Sequence, residues 1–295
     1  MQRSKHPHGE KHHYIPVFYL KQWSDPHRRI CEFTRWGNVV KPKMKHPDAT
    51  GFMRGLNTFK ELDPEAADFL ESHFFRQADD RAYRALTLLL GDQTDLDADI
   101  KSSWCRFLMT LFHRTPEGIE RMRQQVGKNL PIDLEPLRSK YHLLRKDGDP
   151  ERFDEFCSKF TSELTQHATL ASLQTVMDSQ RIGDVLFGMS WFVLLADHAR
   201  YPLLTSDRPI IMSNGLGQPQ SYLMLPISPR RVFVAVNRRE VIDQIQHDLT
   251  PDKFVASIND RVVRQARKHA YGTNDAQLRF VSNRLGERMR WSPME

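Results

Sequence analysis

The sequence predicts an α+β fold, with an N-terminal β-hairpin, a helical bundle in the middle and a small antiparallel sheet near the C-terminus. Apolar residues recur at helical spacing from residue 63 to residue 178, whereas short apolar runs separated by Gly, Pro and Asn follow residue 181. Hydrophobic residues make up 39% of the 295 residues, which is sufficient for a packed core. We therefore expect a disordered tail over residues 1–12 and a single α+β domain over residues 13–290.

The β-hairpin is predicted over residues 28–41. Successive side chains in residues 29–35 fall alternately on two faces, one of them partly apolar, as in a β-strand. Gly37 and Asn38 then form a turn signal. Residues 42–60 contain Pro, Gly and basic residues, so we expect an ordered loop there.

The helical middle is predicted from apolar periodicity and from capping residues. Asp63, Asp97 and Thr115 each precede a helical pattern as N-cap candidates, and Gly91 ends the first pattern. The predicted helices cover residues 63–90, residues 97–113, a segment after Thr115, a weaker candidate at 133–147, and residues 151–178.

The C-terminal part is predicted to contain strands followed by two helices. The strand candidates are residues 201–206, 209–213, 222–226 and 231–237, with a buried element at 185–196. A short helix is expected at 239–249, and a longer one starts at Pro251 and places Ala266 and His269 on its apolar side.

The positive charge of the chain is concentrated near its two ends. Residues 1–60 contain twelve Lys or Arg against four Asp or Glu, and residues 261–290 contain eight against two. If these segments meet in space they form one basic face, which would attract an anionic partner such as nucleic acid. The alternative is an ordinary solvated surface.

Several classes of protein are disfavoured by the sequence. The longest uncharged apolar run, residues 185–196, is shorter than the ~20 residues of a membrane helix, so we expect no membrane partner. Three cysteines without a Cys-x-x-Cys pair indicate a reducing compartment, and the first eleven residues lack the apolar core of a signal peptide. We therefore expect a cytoplasmic protein. Sequence motifs of ATPases, dinucleotide-binding domains, esterases and zincins are absent.

Five short motifs, in order along the chain, resemble a bacterial family catalogued as domain of unknown function 4238 (DUF4238). They are His13-x-x-Pro16-x-x-Tyr19-Leu20, Arg114-Thr115-Pro116, Ser206-Asp207-Arg208-Pro209, Pro226-Ile227-Ser228-Pro229 and Asn259. The family often has Gln where this chain has Val17, so no role is assigned to that amide. The resemblance implies where a functional site could lie. It implies no reaction, because no activity is established for the family.

The candidate site residues are His13, Asp207, Arg114 and Asn259. His13 and Asp207 are candidate catalytic residues, because His supplies acid–base chemistry near neutral pH and Asp can act as base or as a ligand of a divalent metal. Arg114 and Asn259 are candidate substrate-binding residues, since a guanidinium binds phosphate at two points. Each of the four residues also has a structural interpretation. The Asp207 carboxylate would form an Asx-turn and His13 would be a packed side chain. Arg114 would bind carbonyls at a helix end, and Asn259 would make an internal hydrogen bond.

Two functions follow from these candidates. The first is a hydrolase that acts on nucleic-acid phosphodiesters through His13, Asp207 and Arg114, with a divalent metal as one option for the cofactor. The second is a non-catalytic binding or regulatory module in which the same residues are structural. A third pattern, Arg264-x4-His269, matches the spacing of an all-helical ribonuclease superfamily, but the predicted sheet disagrees with that fold.

Overall fold

The N-terminal part of the molecule is built from short strands and turns. The computed structural model describes residues 11–56, 59, 62, 70–213 and 215–287. The elements here are β1 (Lys11–His13), α1 (Val17–Leu20), a 3-10 turn (Lys21–Trp23), β2 (Ile30–Trp36), β3 (Val39–Lys45), a second 3-10 turn (Pro47–Ala49) and β4 (Phe52–Arg54).

The middle of the chain is helical. Its elements are a π-helical turn (Leu70–Phe75) continuous with α2 (Arg76–Leu90), α3 (Ala98–His113), α4 (Pro116–Leu134), a 3-10 turn (Glu135–Lys140), α5 (Tyr141–Leu144), α6 (Phe153–Met177) and α7 (Gln180–Gly188). No helix in the described part of the chain is both long enough and apolar enough to span a membrane.

The C-terminal part alternates strands and helices. Its elements are β5 (Ser190–Leu195), β6 (Thr205–Ser206), β7 (Ile211–Met212), β8 (Tyr222–Ser228), β9 (Arg231–Val236), α8 (Glu240–Asp248), α9 (Pro251–Gln265), β10 (His269–Gly272) and α10 (Leu278–Ser282).

The strands form antiparallel sheets that join distant parts of the chain. β1 pairs with β4, and β5, β9, β8 and β7 form a four-stranded sheet in that order. The other four-stranded sheet has the order β3-β2-β10-β6, so the N-terminal hairpin is completed by strands from the C-terminal half. The predicted α+β class is confirmed, and the predicted C-terminal strands are divided between two sheets.

Local capping determines where the middle helices begin and end. The Asp97 side chain accepts a hydrogen bond from the Ile100 N–H at 2.9 Å, and Thr115 accepts one from Gly118 N–H at 3.1 Å. α2 ends at Gly91, as predicted. The predicted cap at Asp63 lies outside the described residues.

Strand β10 corrects one sequence prediction. His269 was expected on the apolar side of the helix that starts at Pro251, but α9 ends at Gln265 and His269 begins a strand. The physical reason is that Asp207 accepts hydrogen bonds from the N–H groups of residues 267, 268 and 269. Those N–H groups cannot also bond to α9 carbonyls, so the helix stops. The Arg264-x4-His269 pattern therefore does not lie on one helix.

Other boundaries also differ from the prediction. The predicted tail of residues 1–12 overlaps β1 by two residues, and its first ten residues lie outside the described part of the chain. The segment 185–196 contains the end of α7 and strand β5 instead of one element. The segment 133–147 contains the end of α4, a 3-10 turn and the four-residue α5 instead of one helix.

One hydrophobic cluster contains residues from all three parts of the chain. It includes Tyr19 and Trp23 from the N-terminal segment, Trp104 from α3, and Phe233 from β9, all fully buried. A separate cluster lies between the β5-β9-β8-β7 sheet and helices α8 and α9, and a third packs β2, β3 and β10 against α9 and α10. The single domain over residues 13–290 stays a prediction.

Candidate functional site

The motif around His13 connects the N-terminal segment to two sheets. Pro16 precedes α1 in an extended conformation, and the helix directs Tyr19 into the core. The Tyr19 hydroxyl donates to the Pro226 carbonyl at 2.7 Å and lies 2.6 Å from the Thr205 hydroxyl. Three of the five family motifs therefore meet at this one hydroxyl group or beside it, because Pro226 opens its motif and Thr205 precedes Ser206.

Arg114 is almost completely buried, with 1% of its surface exposed. It is the C-cap residue of α3 and follows the buried face of that helix. Its Nη1 donates to Asp79 at 2.8 Å, its Nη2 donates to the His13 carbonyl oxygen at 2.5 Å, and the guanidinium lies 4.6 Å from the Phe75 ring centre. The guanidinium fork is thus used to hold β1 and α2 against α3.

The His13 side chain is half-buried beside the N-terminal loop. Its Nε2 lies 3.3 Å from the carbonyl oxygen of Asp48, and its ring lies 5.5 Å from that of Phe52. Burial lowers the pKa of His13, and the nearby Arg114 lowers it further. The hydrogen bond to the Asp48 carbonyl acts in the opposite direction. The imidazole is therefore predominantly neutral at pH 7, a form that can accept a proton.

Asp207 lies directly after β6 and is 4% exposed. One carboxylate oxygen accepts from Arg267 N–H at 2.8 Å, and the other accepts from Lys268 N–H at 2.6 Å and His269 N–H at 2.9 Å. Burial raises the pKa of Asp207 to about 6, whereas these three N–H donors act in the opposite direction. The carboxylate is engaged by the backbone that leads from α9 into β10.

Asn259 lies on the buried face of α9, in the helix predicted from the sequence. Its oxygen accepts from Leu204 N–H at 2.8 Å, and its NH2 group donates to the Pro202 carbonyl at 3.0 Å and to Gln277 at 3.1 Å. The side chain therefore holds the loop before β6 against α9, and 1% of it is exposed.

The four predicted site residues are used at different junctions. His13 and Arg114 meet, but through the main-chain carbonyl of His13 rather than its imidazole. The partners of Asp207 are residues 267–269, and those of Asn259 are in the 202–204 loop and Gln277. Among the described residues, the side chains of His13 and Asp207 share no hydrogen bond or ion pair.

A polar pocket lies between β2, β10 and the loop that follows β3. This open pocket of about 370 Å³, called the Glu32 pocket below, is lined by residues that include Glu32, Thr34, Lys45, Thr50, Lys268 and His269. Glu32 is 4% exposed and lies 2.7 Å from the Lys45 ammonium group. It also accepts hydrogen bonds from the Thr34 and Thr50 hydroxyls. The carboxylate is thus paired with a cation and fully hydrogen-bonded.

Glu32 and His269 affect each other's protonation. The His269 Nδ1 lies 2.8 Å from the Thr34 hydroxyl and 3.8 Å from a Glu32 oxygen. Burial lowers the pKa of His269 to about 4, although the Glu32 carboxylate acts in the opposite direction. Burial alone would raise the pKa of Glu32, but His269, Lys45 and the hydroxyl donors lower it. The pocket therefore contains an ionised Glu32 and a neutral His269 at pH 7.

The residues of the Glu32 pocket were not predicted from the sequence. Glu32 interrupts an apolar strand pattern, which was a usable signal, but an isolated acidic residue on a strand is usually solvent-exposed. The sequence pattern places His269 on a helix, so it does not indicate that His269 lies opposite Thr34. Within the described residues, no group of three or more His, Cys, Asp or Glu side chains is arranged to hold a metal ion.

Comparison with known proteins identifies one family. The model of a protein family of unknown function, DUF4238, matches residues 11–276 of this chain. No curated protein and no solved structure matches it. The matched region contains every motif described above, from His13 to Asn259, and covers most of the 295 residues. The chain therefore belongs to the DUF4238 family of proteins of unknown function.

Proposed function

We propose that this protein is a non-catalytic binding module for nucleic acid, and that His13, Arg114, Asp207 and Asn259 maintain its fold. The observation that carries the proposal is the antiparallel pairing of β2 with β10. This pairing joins strand β2, from the basic segment 1–60, to strand β10, from the basic segment 261–290, in one sheet. A concentrated positive charge is the usual electrostatic basis of nucleic-acid binding.

The register of the hairpin places Lys41 and Lys43 on one face of the sheet. Glu32 is opposite Lys43, Thr34 is opposite Lys41, and Trp36 is opposite Val39. Residues directly opposite each other in an antiparallel pair project from the same side of the sheet. Lys41 and Lys43 are exposed, and the other side of the hairpin packs on α9 and α10. We call this surface, formed by Trp36, Val39, Lys41 and Lys43, the basic sheet face.

The fold-maintaining role is supported by burial and by hydrogen bonding. Arg114, Asp207 and Asn259 are at most 4% exposed. The Arg114 Nη atoms, both Asp207 oxygens and the Asn259 amide bind main-chain groups or a neighbouring side chain. A catalytic group must reach its substrate within hydrogen-bonding distance. These three side chains would have to leave their present partners to do so.

The second candidate function is hydrolysis of nucleic-acid phosphodiesters, with His13 as base, Asp207 as acid–base or metal-binding group and Arg114 as phosphate ligand. The lowered pKa of the half-buried His13 favours it, because a neutral imidazole can take a proton. This proposal fails if the purified protein leaves RNA and DNA intact in the presence of several divalent metals. Cleavage that His13→Ala abolishes without a change in Tm would establish it.

The three free thiols support the proposed cytoplasmic location.

The binding proposal is tested by reversing charge on the basic sheet face. We expect Lys41→Glu with Lys43→Glu to weaken binding of labelled oligonucleotides at least about tenfold, and to reduce the slope of log affinity against log salt by about two. Fluorescence anisotropy over a series of salt concentrations measures both quantities.

The matched control changes the same charge elsewhere. Lys128 and Lys140 are exposed in the helical middle, so Lys128→Glu with Lys140→Glu should have little effect. Arg81→Glu with Arg84→Glu tests the pocket of about 420 Å³ between α2 and α3. Binding that is lost in either of these variants and retained in the Lys41 and Lys43 variant would reject the basic sheet face as the binding surface.

A further inference from the structure

The Glu32 pocket opens beside the basic sheet face and combines three kinds of binding group. Its lining includes the indole of Trp36, the cations Lys45 and Lys268, and the hydroxyls of Thr34 and Thr50. Its volume of about 370 Å³ is within the range of small-molecule sites. Each group is held by a strand or by the loop packed against it, so the pocket is formed before a ligand arrives.

The aromatic wall of the pocket is unusually exposed. Trp36 has 68% of its surface accessible, whereas Trp23, Trp104 and Trp191 are at most 7% exposed. It lies at the end of β2, where Gly37 has a positive φ of 56° and turns the chain into β3. Its solvent-exposed ring offers a face on which another planar group can stack.

The charge of the pocket selects an anionic ligand. Lys45 neutralises Glu32 at 2.7 Å, so the carboxylate leaves no net negative charge in the pocket. His269 is neutral because burial lowers its pKa to about 4. Lys268 is exposed, and no carboxylate in the described part of the chain pairs with its ammonium group. The pocket is therefore cationic overall, next to an aromatic ring.

We propose that the Glu32 pocket binds one nucleotide of single-stranded nucleic acid, with its base stacked on Trp36 and its phosphate near Lys45 and Lys268. This inference rests on the proposed nucleic-acid function and specifies the form of the ligand. Stacking on a protein aromatic ring requires a base whose face is free, and in a duplex both faces are covered by neighbouring base pairs. A protein that bound only through the lysines of the basic sheet face would bind duplex equally well, since it would recognise phosphates alone.

The test compares Trp36→Ala with Trp36→Phe. The probes are labelled oligothymidine and oligouridine of about 12 nucleotides and a mixed-sequence duplex of the same length, measured by fluorescence anisotropy at fixed salt. We expect Trp36→Ala to weaken single-strand binding about tenfold, Trp36→Phe to restore most of it, and duplex binding to change little. Tyr201→Ala, at a tyrosine that is 43% exposed, is the control for loss of an exposed aromatic ring.

The outcomes separate the two proposals. Unchanged single-strand affinity in Trp36→Ala, with binding still lost in the Lys41 and Lys43 variant, rejects the nucleotide pocket and leaves the binding function in place. Equal losses for duplex and single strand also reject base stacking. Absence of oligonucleotide binding by the unmodified protein rejects both proposals. Because Trp36 is exposed, its replacement should leave Tm unchanged, so a loss of affinity will not reflect unfolding.

Discussion

At the scale of single residues, the buried polar side chains replace hydrogen bonds that the backbone cannot make by itself. Asp207 accepts from three successive N–H groups where α9 has ended and β10 has only begun. Asn259 does the same for the loop before β6, using both its oxygen and its NH2 group. Unpaired buried main-chain groups are costly, so these positions admit few other residues.

We predict that Asp207→Ala destabilises the protein by about 3 kcal/mol, because three partly buried N–H groups lose a charged acceptor. Asp207→Asn should be intermediate, since the amide retains one acceptor oxygen. Urea unfolding followed by circular dichroism measures the change, and Asp133→Ala at an exposed position is the control. Unchanged stability combined with loss of a catalytic activity would instead support the hydrolase.

His113 gives a prediction about pH. Burial lowers its pKa to about 4, below the ~6.5 of an unfolded chain. Between these values the unfolded state binds more protons, so the free energy of unfolding decreases as pH falls from 6.5 towards 4. We expect His113→Gln to remove about 2 kcal/mol of the loss seen in the original protein between pH 6.5 and 4.5.

The measurement is the slope of unfolding free energy against pH, which is independent of the cost of the substitution itself. The contribution of Asp207 to this slope has the opposite sign, because its raised pKa makes stability decrease as pH rises towards about 6. This contribution is the same in both proteins, so it cancels when the variant is compared with the original. His142→Gln, at an exposed position, is the control. Identical slopes in His113→Gln and the original protein would contradict the prediction.

At the scale of elements, Arg114 joins β1, α2 and α3 at one point. Removal of one member of a buried ion pair leaves the other without compensation. Arg114→Met should therefore cost about 3 kcal/mol, because Asp79 and the His13 carbonyl lose their donor. Addition of Asp79→Leu to this variant should recover about 1 kcal/mol in thermal or urea unfolding. Additive losses in the double variant would show that the Asp79 pair contributes little.

Elements whose ends depend on adjacent residues could be predicted from the sequence. Asp97 and Thr115 cap their helices through their own side chains, and Gly91 ends α2, so each signal lies within a few residues of its effect. The end of α9 depends instead on Asp207, 60 residues away from its first partner. Local periodicity continues past that point, and for this reason His269 was assigned to the wrong element.

The candidate site shows the same division between local and distant information. The motifs indicate Arg114, Asp207 and Asn259 as candidate site residues, but motif spacing does not indicate whether a side chain faces solvent or the backbone. The Glu32 pocket requires Thr34 and His269, which are 235 residues apart, to lie on neighbouring strands. That pairing is a property of the assembled sheet, and one sequence contains no local signal for it.

At the scale of the whole molecule, the hydrophobic cluster that contains Tyr19, Trp104 and Phe233 extends through all three parts of the chain. We predict one cooperative unfolding transition, with coincident curves from far-UV circular dichroism and tryptophan fluorescence. Two separated transitions would show that the helical middle and the sheets are distinct domains, and would contradict the predicted single domain over residues 13–290.

The pairing of β2 with β10 also has a consequence for the order of folding during synthesis. The ribosome completes β2 long before it reaches residue 269, so the strand must wait with one edge unpaired while the helical middle emerges. Contacts between such distant segments form slowly, because a long loop must close first. A chain that terminates before β10 would keep this open edge, which favours aggregation, and would never complete the Glu32 pocket, which His269 helps to line.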